Sequence, residues 1–78
     1  MYNVDFICNK SPTTRDLTSF LRTISEKAKI SIFIEKDSRR VNAHSLLGLL
    51  SLDLKSGDKL CAYCDDRSVL DFVKDYFS

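Results

Sequence analysis

The spacing of apolar residues constrains this chain more than any other feature. It switches repeatedly between every second position and every third or fourth, and no stretch of either kind is long. Tyr2, Val4, Phe6 and Cys8 alternate with Asn3 and Asp5, with Ile7 on the second face, which is the period-two pattern of a half-buried strand over residues 2–8. Beyond the turn-forming Asn9-Lys10-Ser11-Pro12, Leu17, Phe20, Leu21, Ile24 and Ala28 gather on one face of a helix expected from about Arg15 to Lys27. Its start is marked at Thr13. The Thr13 oxygen can accept a backbone N–H while Asp16, three positions on, reaches back, a capping box with Asp in place of Glu.

Ile30, Ile32 and Ile34 alternate with Ser31, Phe33 and Glu35, so residues 30–35 are expected to form a second strand. Lys36-Asp37-Ser38 turns the chain into Arg39-Arg40-Val41, whose charge suits an exposed edge. Ser45 opens a short helix through Leu46-Leu47-Gly48-Leu49-Leu50-Ser51, and Lys55-Ser56-Gly57-Asp58 makes another turn. Leu60, Ala62 and Cys64 then alternate with Lys59, Cys61 and Tyr63 as a fourth strand. A last helix is expected to open at Ser68, with Asp71 three residues later and Val69, Phe72, Val73, Tyr76 and Phe77 along one side. The order is β-α-β-β-α-β-α. The simplest fold for it is α+β, an open-faced β-sandwich in which a four-stranded antiparallel sheet carries three helices on one face. Seventy-eight residues are room for one domain, expected to span residues 1–78.

Charge and composition narrow the function. Lys and Arg number 12 and Asp and Glu 11, a net charge of +1, with 44% hydrophobic residues, as in an ordinary globular domain. Arg39 and Arg40 beside Lys36 form a small basic cluster with no aromatic residue interleaved, so nucleic-acid binding is not expected. The longest mostly apolar stretch, residues 43–54, is interrupted by His44, two serines and Asp53, so membrane insertion is not expected either. No secretion signal is legible near the N-terminus, and three cysteines suit a reducing compartment, so the expected location is the cytoplasm. Cys61 and Cys64 lie within one strand, where residues three apart project to opposite faces. A shared metal or disulfide is therefore not expected, and all three cysteines read as small half-buried hydrophobes. No cofactor is expected.

The remaining candidates cluster around the short helix. A hydroxyl at Ser45 sits where a phosphate would meet unpaired N–H groups, although the same residue also serves as a plain helix cap. The helix after it is too short to bury all of Leu46, Leu47, Leu49 and Leu50, so part of this patch should be available to a partner. His44, the only histidine, stands in a polar loop and reads as a surface residue.

The run Val41-Asn42-Ala43-His44-Ser45-Leu46-Leu47-Gly48-Leu49-Leu50-Ser51-Leu52, followed by Asp53-Leu54-Lys55-Ser56-Gly57-Asp58, resembles the HPr family of histidine-containing phosphocarrier proteins. The likeness is nearest to the Gram-positive members, in which a regulatory serine opens the same short helix. The element order is also that of the family, so the resemblance spans essentially the whole chain. It implies a non-enzymatic protein of the sugar phosphotransferase system whose partners are enzyme I, HPr kinase, permease components or a transcriptional regulator.

The family carries phosphate on a histidine within a Leu-His-(Thr or Ala)-Arg-Pro motif at the start of helix one. Aligned on Phe20 and Leu21, this chain has Thr13 at the histidine, Arg15 at the arginine and Asp16 at the proline, and a one-residue shift would put Thr14 at the histidine instead. Thr13, Thr14, Arg15 and Asp16 thus make a degenerate phosphoacceptor site. A threonine phosphoester does not pass its phosphoryl group on as a phosphoramidate does, and the Asp16 carboxylate repels an anion. The resemblance then implies a regulatory and docking protein. Ser45 would be its phosphorylation site, Leu46, Leu47 and Leu50 its docking patch, and His44 would stand where the family usually has lysine.

Overall fold

The computed structural model describes residues 1–78. The elements are β1 (Tyr2–Ile7), α1 (Thr14–Lys27), β2 (Phe33–Lys36), β3 (Arg39–Asn42), α2 (Leu46–Ser51), β4 (Lys59–Cys64) and α3 (Arg67–Phe77). The four strands form one antiparallel sheet in the order β1-β4-β2-β3, so the two strands that begin and end the ladder are edges. This is the open-faced α+β sandwich expected from the sequence.

Alternation places Phe6, Ile34, Leu60, Ala62 and Cys64 under the helices, and Asn3, Asp5, Ile7, Cys61 and Tyr63 on the uncovered face. Leu17, Phe20 and Ile24 of α1, Leu49 of α2 and Val69, Leu70, Val73 and Phe77 of α3 complete one core of 19 buried residues. No polar or charged side chain is buried in it. Phe20 sits at its centre, with ring centroids 4.9 Å from Phe77 and 5.1 Å from Tyr76. The Asp37-Ser38 turn of the β2–β3 hairpin has positive φ at both residues, 51° and 67°, which matches the right-handed twist of its strands.

Several local expectations need correction. The second strand begins at Phe33 rather than Ile30: Phe33 pairs with Tyr63, Ile32 before it accepts the Ala43 N–H at 2.8 Å opposite the last residue of β4, and Ile30 lies past the end of β4 at Cys64. The cap of α3 is Asp66 rather than Ser68. Its Oδ1 accepts both the Ser68 N–H at 2.9 Å and the Ser68 hydroxyl at 2.7 Å, and a carboxylate also complements the positive helix end. With the helix starting at Arg67, Leu70 joins the buried face, and Phe72 and Tyr76 lie at its half-buried margin.

The basic cluster is dispersed. Lys36 Nζ donates to the Leu52 and Asp53 carbonyls at 3.0 and 2.9 Å and pairs with the Asp58 carboxylate at 2.8 Å. Arg40 lies over the Tyr63 ring, 4.1 Å from its centroid, and bonds Glu35 at 3.3 Å. The aromatic partner that the local sequence lacks is supplied from β4, across the sheet. Cys8 and Cys64 are fully rather than half buried, because both alternate onto the core side, whereas Cys61 is on the open face.

Candidate functional site

The residues singled out by sequence fall at the starts of two helices that pack on each other, α1 and α2. At α1 the capping box is formed in full. The Asp16 N–H donates to Thr13 Oγ1 at 3.1 Å and the Thr13 N–H donates to Asp16 Oδ2 at 2.9 Å. Thr13, Thr14 and Arg15 are exposed. The hydrogen bond from the Thr13 backbone, opposed by partial desolvation, holds the Asp16 carboxyl below its ordinary range.

Chemically this end of α1 is closed. Two of the N–H groups that would meet an incoming phosphoryl group are already bonded, and the ionised carboxylate answers the positive helix end in place of an anion. The Asp16 Oδ2 is engaged by the Thr13 amide rather than by the Thr13 hydroxyl. Two further ties hold this end in place. Tyr76 donates its hydroxyl to the Asp16 carbonyl at 2.8 Å, and Ser56 bonds Ser11 Oγ and the Asn9 carbonyl at 3.1 and 3.2 Å.

At α2 the Ser45 Oγ accepts the Gly48 N–H at 3.0 Å, which makes it an N-cap, and its side chain is half-buried. A Cβ at Gly48 would stand 3.2 Å from the Val41 Cβ and 3.3 Å from the Ser45 side chain, so the glycine lets the first turn close against β3. Leu49 is the one fully buried residue of this six-residue helix. Leu46 is half-buried against the core, whereas Leu47 is 79% and Leu50 41% exposed. An apolar patch therefore lies in solvent immediately after the Ser45 cap.

His44 is half-buried rather than free at the surface. Its Nε2 lies 3.0 Å from the Ile30 carbonyl, which can only accept, so Nε2 carries a proton and donates it there. The ring walls a shallow recess together with Ser25, Lys29, Ser31 and Asn42. Sequence reasoning missed this contact because Ile30 and His44 are joined only by the course of β2 and β3.

No three His, Cys, Asp or Glu side chains converge as a metal site would require, and no helix is long and apolar enough to cross a membrane. The candidate residues of this open-faced sandwich thus lie at two helix starts, with a bare apolar patch beside one of them, and the fold alone does not say what they do. The comparisons give it a family. The family described as PTS HPr component phosphorylation site matches residues 12–75, and the chain belongs to the HPr family, the phosphocarriers of the phosphotransferase system.

Similar solved structures carry the same fold. HPr-C-His from Thermoanaerobacter tengcongensis is 24% identical with a TM-score of 0.80, the alignment covering 99% of this chain and 96% of that one. The phosphocarrier protein HPr from Bacillus anthracis str. Ames is 23% identical with a TM-score of 0.86 over the same shares. The histidine-containing phosphocarrier protein of a mycoplasma is 15% identical with a TM-score of 0.74, covering 97% of this chain and 86% of that one. A comparison with curated proteins gives no match.

Proposed function

We propose that this chain is a regulatory and docking member of the HPr family rather than a phosphocarrier, acting in the cytoplasm as a single domain of residues 1–78. The observation that carries the proposal is the closed start of α1, where Thr13 and Asp16 satisfy each other's backbone at 3.1 and 2.9 Å in the region where the family holds its phosphoacceptor. Thr13 takes the histidine's place under one alignment and Thr14 under the other, and neither side chain forms a phosphoramidate. Function then rests on Ser45 and on the patch of Leu46, Leu47 and Leu50, with His44 at its margin. The partners are proteins of the phosphotransferase system or its regulators: enzyme I, HPr kinase, permease components or a transcriptional regulator.

Phosphorylation of Ser45 would add nearly two negative charges where the first N–H groups of α2 point, so the fold should tolerate it, while the leucine patch gains a charged neighbour. A partner presenting arginines would be recruited and an acidic one repelled. Ser45→Asp is expected to leave the melting temperature nearly unaltered and to change affinity for an HPr-binding protein by about tenfold or more. If Ser45→Asp binds every such partner as the parent does, and HPr kinase leaves the parent unmodified, Ser45 is only a cap and the regulatory proposal falls.

A second reading keeps phosphoryl transfer but moves it to His44, whose Nε2 is bonded to the Ile30 carbonyl so that Nδ1 is the ring nitrogen left to accept a phosphoryl group. Incubation with enzyme I and phosphoenolpyruvate separates the two. The docking proposal expects no acid-labile phosphate, and phosphohistidine at His44 would replace it.

A further inference from the structure

The two edges of the sheet are guarded differently. β3 is four residues long and carries Arg39 and Arg40, which discourage pairing with another chain. β1 is six residues long, with no proline, glycine or lysine, and Asp5 is its one charge. In an antiparallel ladder the N–H and C=O groups of successive residues point alternately toward the neighbour and away from it. The Cys8 N–H donates to the Asp58 carbonyl at 2.8 Å, so Phe6, Val4 and Tyr2 likewise face β4. Asn3, Asp5 and Ile7 therefore turn theirs outward, where the protein supplies no partner.

We propose that β1 pairs antiparallel with β1 of a second copy about a two-fold axis at Val4, joining two four-stranded sheets into one of eight. The register follows from chemistry. Only outward-facing residues can exchange hydrogen bonds, so the odd-numbered residues Asn3, Asp5 and Ile7 can meet only one another or Met1. Asp5 against Asp5 sets like charges directly opposite, and Asn3 against Asn3 leaves the outward groups of Ile7 beyond the overlap. Asn3 against the second copy's Asp5 avoids the like-charge pair and lets the outward groups of Asn3 and Asp5 of both copies exchange bonds, with Ile7 opposite the second copy's Met1 just beyond the strand. It sets Val4 on its twin and Tyr2, 51% exposed in the single chain, beside the second copy's Phe6 on the helix side.

The helix layer fits the same axis. Arg67, Leu70 and Asp71 flank Tyr2, Asn3 and Val4, and Phe77 stacks on Phe6 at 6.5 Å, so α3 runs along β1 in the same direction. It packs on β1 and β4 alike. With strands about 4.8 Å apart, the two-fold brings the two α3 axes about 10 Å apart, a normal helix packing distance. They cross antiparallel, so the exposed Arg67 and Asp71 approach the second copy's Asp75 and Lys74, opposite charges in both cases. β1 is the edge farthest from β3, against which α2 packs, so the dimer leaves Leu47 and Leu50 free and does not depend on how that patch is used.

Sedimentation equilibrium from about 10 µM to about 1 mM tests this. The parent is expected to dimerise with rising concentration, and amide exchange at Asn3 and Asp5 to slow in step. Asp5→Pro removes only an outward N–H, sparing the β4 ladder, and is expected to be a monomer with the parent's melting temperature. Asn3→Lys, facing the second copy's Asp5, should tighten the dimer about threefold and Asn3→Asp loosen it about threefold. A parent monomeric at the highest concentration overturns the proposal, as does a folded Asp5→Pro that dimerises like the parent. Should Asp5→Pro fail to fold, the Asn3 pair decides alone, since equal association by both variants refutes the register.

Discussion

Leu49→Ala and Leu47→Ala should separate the residue that anchors α2 from the one that faces a partner. Leu49 is wholly buried and Leu47 is 79% exposed, two positions apart on a six-residue helix. Truncating a fully buried leucine removes its transfer free energy and leaves a cavity, together about 2–5 kcal/mol. Here α2 is short and can settle inward, so the lower half of that range, about 3 kcal/mol, is expected. A chain of this length has about 4–12 kcal/mol of total stability, so the loss is a substantial fraction of it. At about 4–8 °C per kcal/mol, the melting temperature should fall by about 12–24 °C. Leu47→Ala removes surface already in water and should shift it by less than about 3 °C. Thermal unfolding followed by circular dichroism reads the first quantity, and titration of an HPr-binding partner against Leu47→Ala reads the second, with a loss of about tenfold expected. Equal destabilisation by the two variants, or a Leu49→Ala that melts within about 5 °C of the parent, would refute the single-anchor picture of α2.

Three further outcomes follow from the same structure. The carboxyls of Asp16, Asp58 and Asp66 are all held below their ordinary range, by the Thr13 amide, the Lys36 ammonium and the Ser68 hydroxyl first of all. The unfolded chain thus binds protons more readily, so this stability is present above the unfolded value of about 4 and is lost as pH falls through the folded ones. The melting temperature should drop on acidification below about pH 4, and a rise would contradict the pairing. Among the thiols, burial above all pushes Cys8 and Cys64 upward while Cys61 lies half-exposed on the open face, so mass spectrometry after brief alkylation of the native protein should find Cys61 modified first. Gly57 has φ +95° with open space where a Cβ would go, so Gly57→Ala should cost about 1 kcal/mol in a denaturant melt through backbone strain alone. A neutral Gly57→Ala would mean that the loop relaxes.

What the sequence made legible was mostly local. The Thr13–Asp16 box and the Ser45 cap are contacts three residues apart, and the apolar spacing that predicts each helix also predicts which face it buries. What it withheld depends on which segments meet. Ile30, Ile32 and Ile34 have strand periodicity throughout, yet the strand starts only at Phe33 and Ile30 lies past the end of β4, because periodicity assigns a face and not a partner. Asp66 and Ser68 are both good caps. The choice fell to the residue that could accept two bonds at once from the other. Arg40 over Tyr63, Lys36 on the Leu52 and Asp53 carbonyls and His44 on the Ile30 carbonyl each span a fold-dependent approach, so nothing in their immediate neighbours announces them.

The buried core, built without one polar side chain, has a bearing on how such a protein changes over generations. Thr13, Ser45 and Asp66, the residues that open the three helices, make their bonds to backbone groups of their own first turns, and none belongs to the core. A mutation at one of these positions is therefore judged by selection on chemistry almost alone, since the shape of the molecule is underwritten elsewhere. A lineage on this scaffold can surrender a reactive side chain, take up a mere cap in its stead and later acquire a different reactive group, while its shape drifts hardly at all. Resemblance of form between two such proteins is then a record of common descent, and says much less about whether they still do the same work.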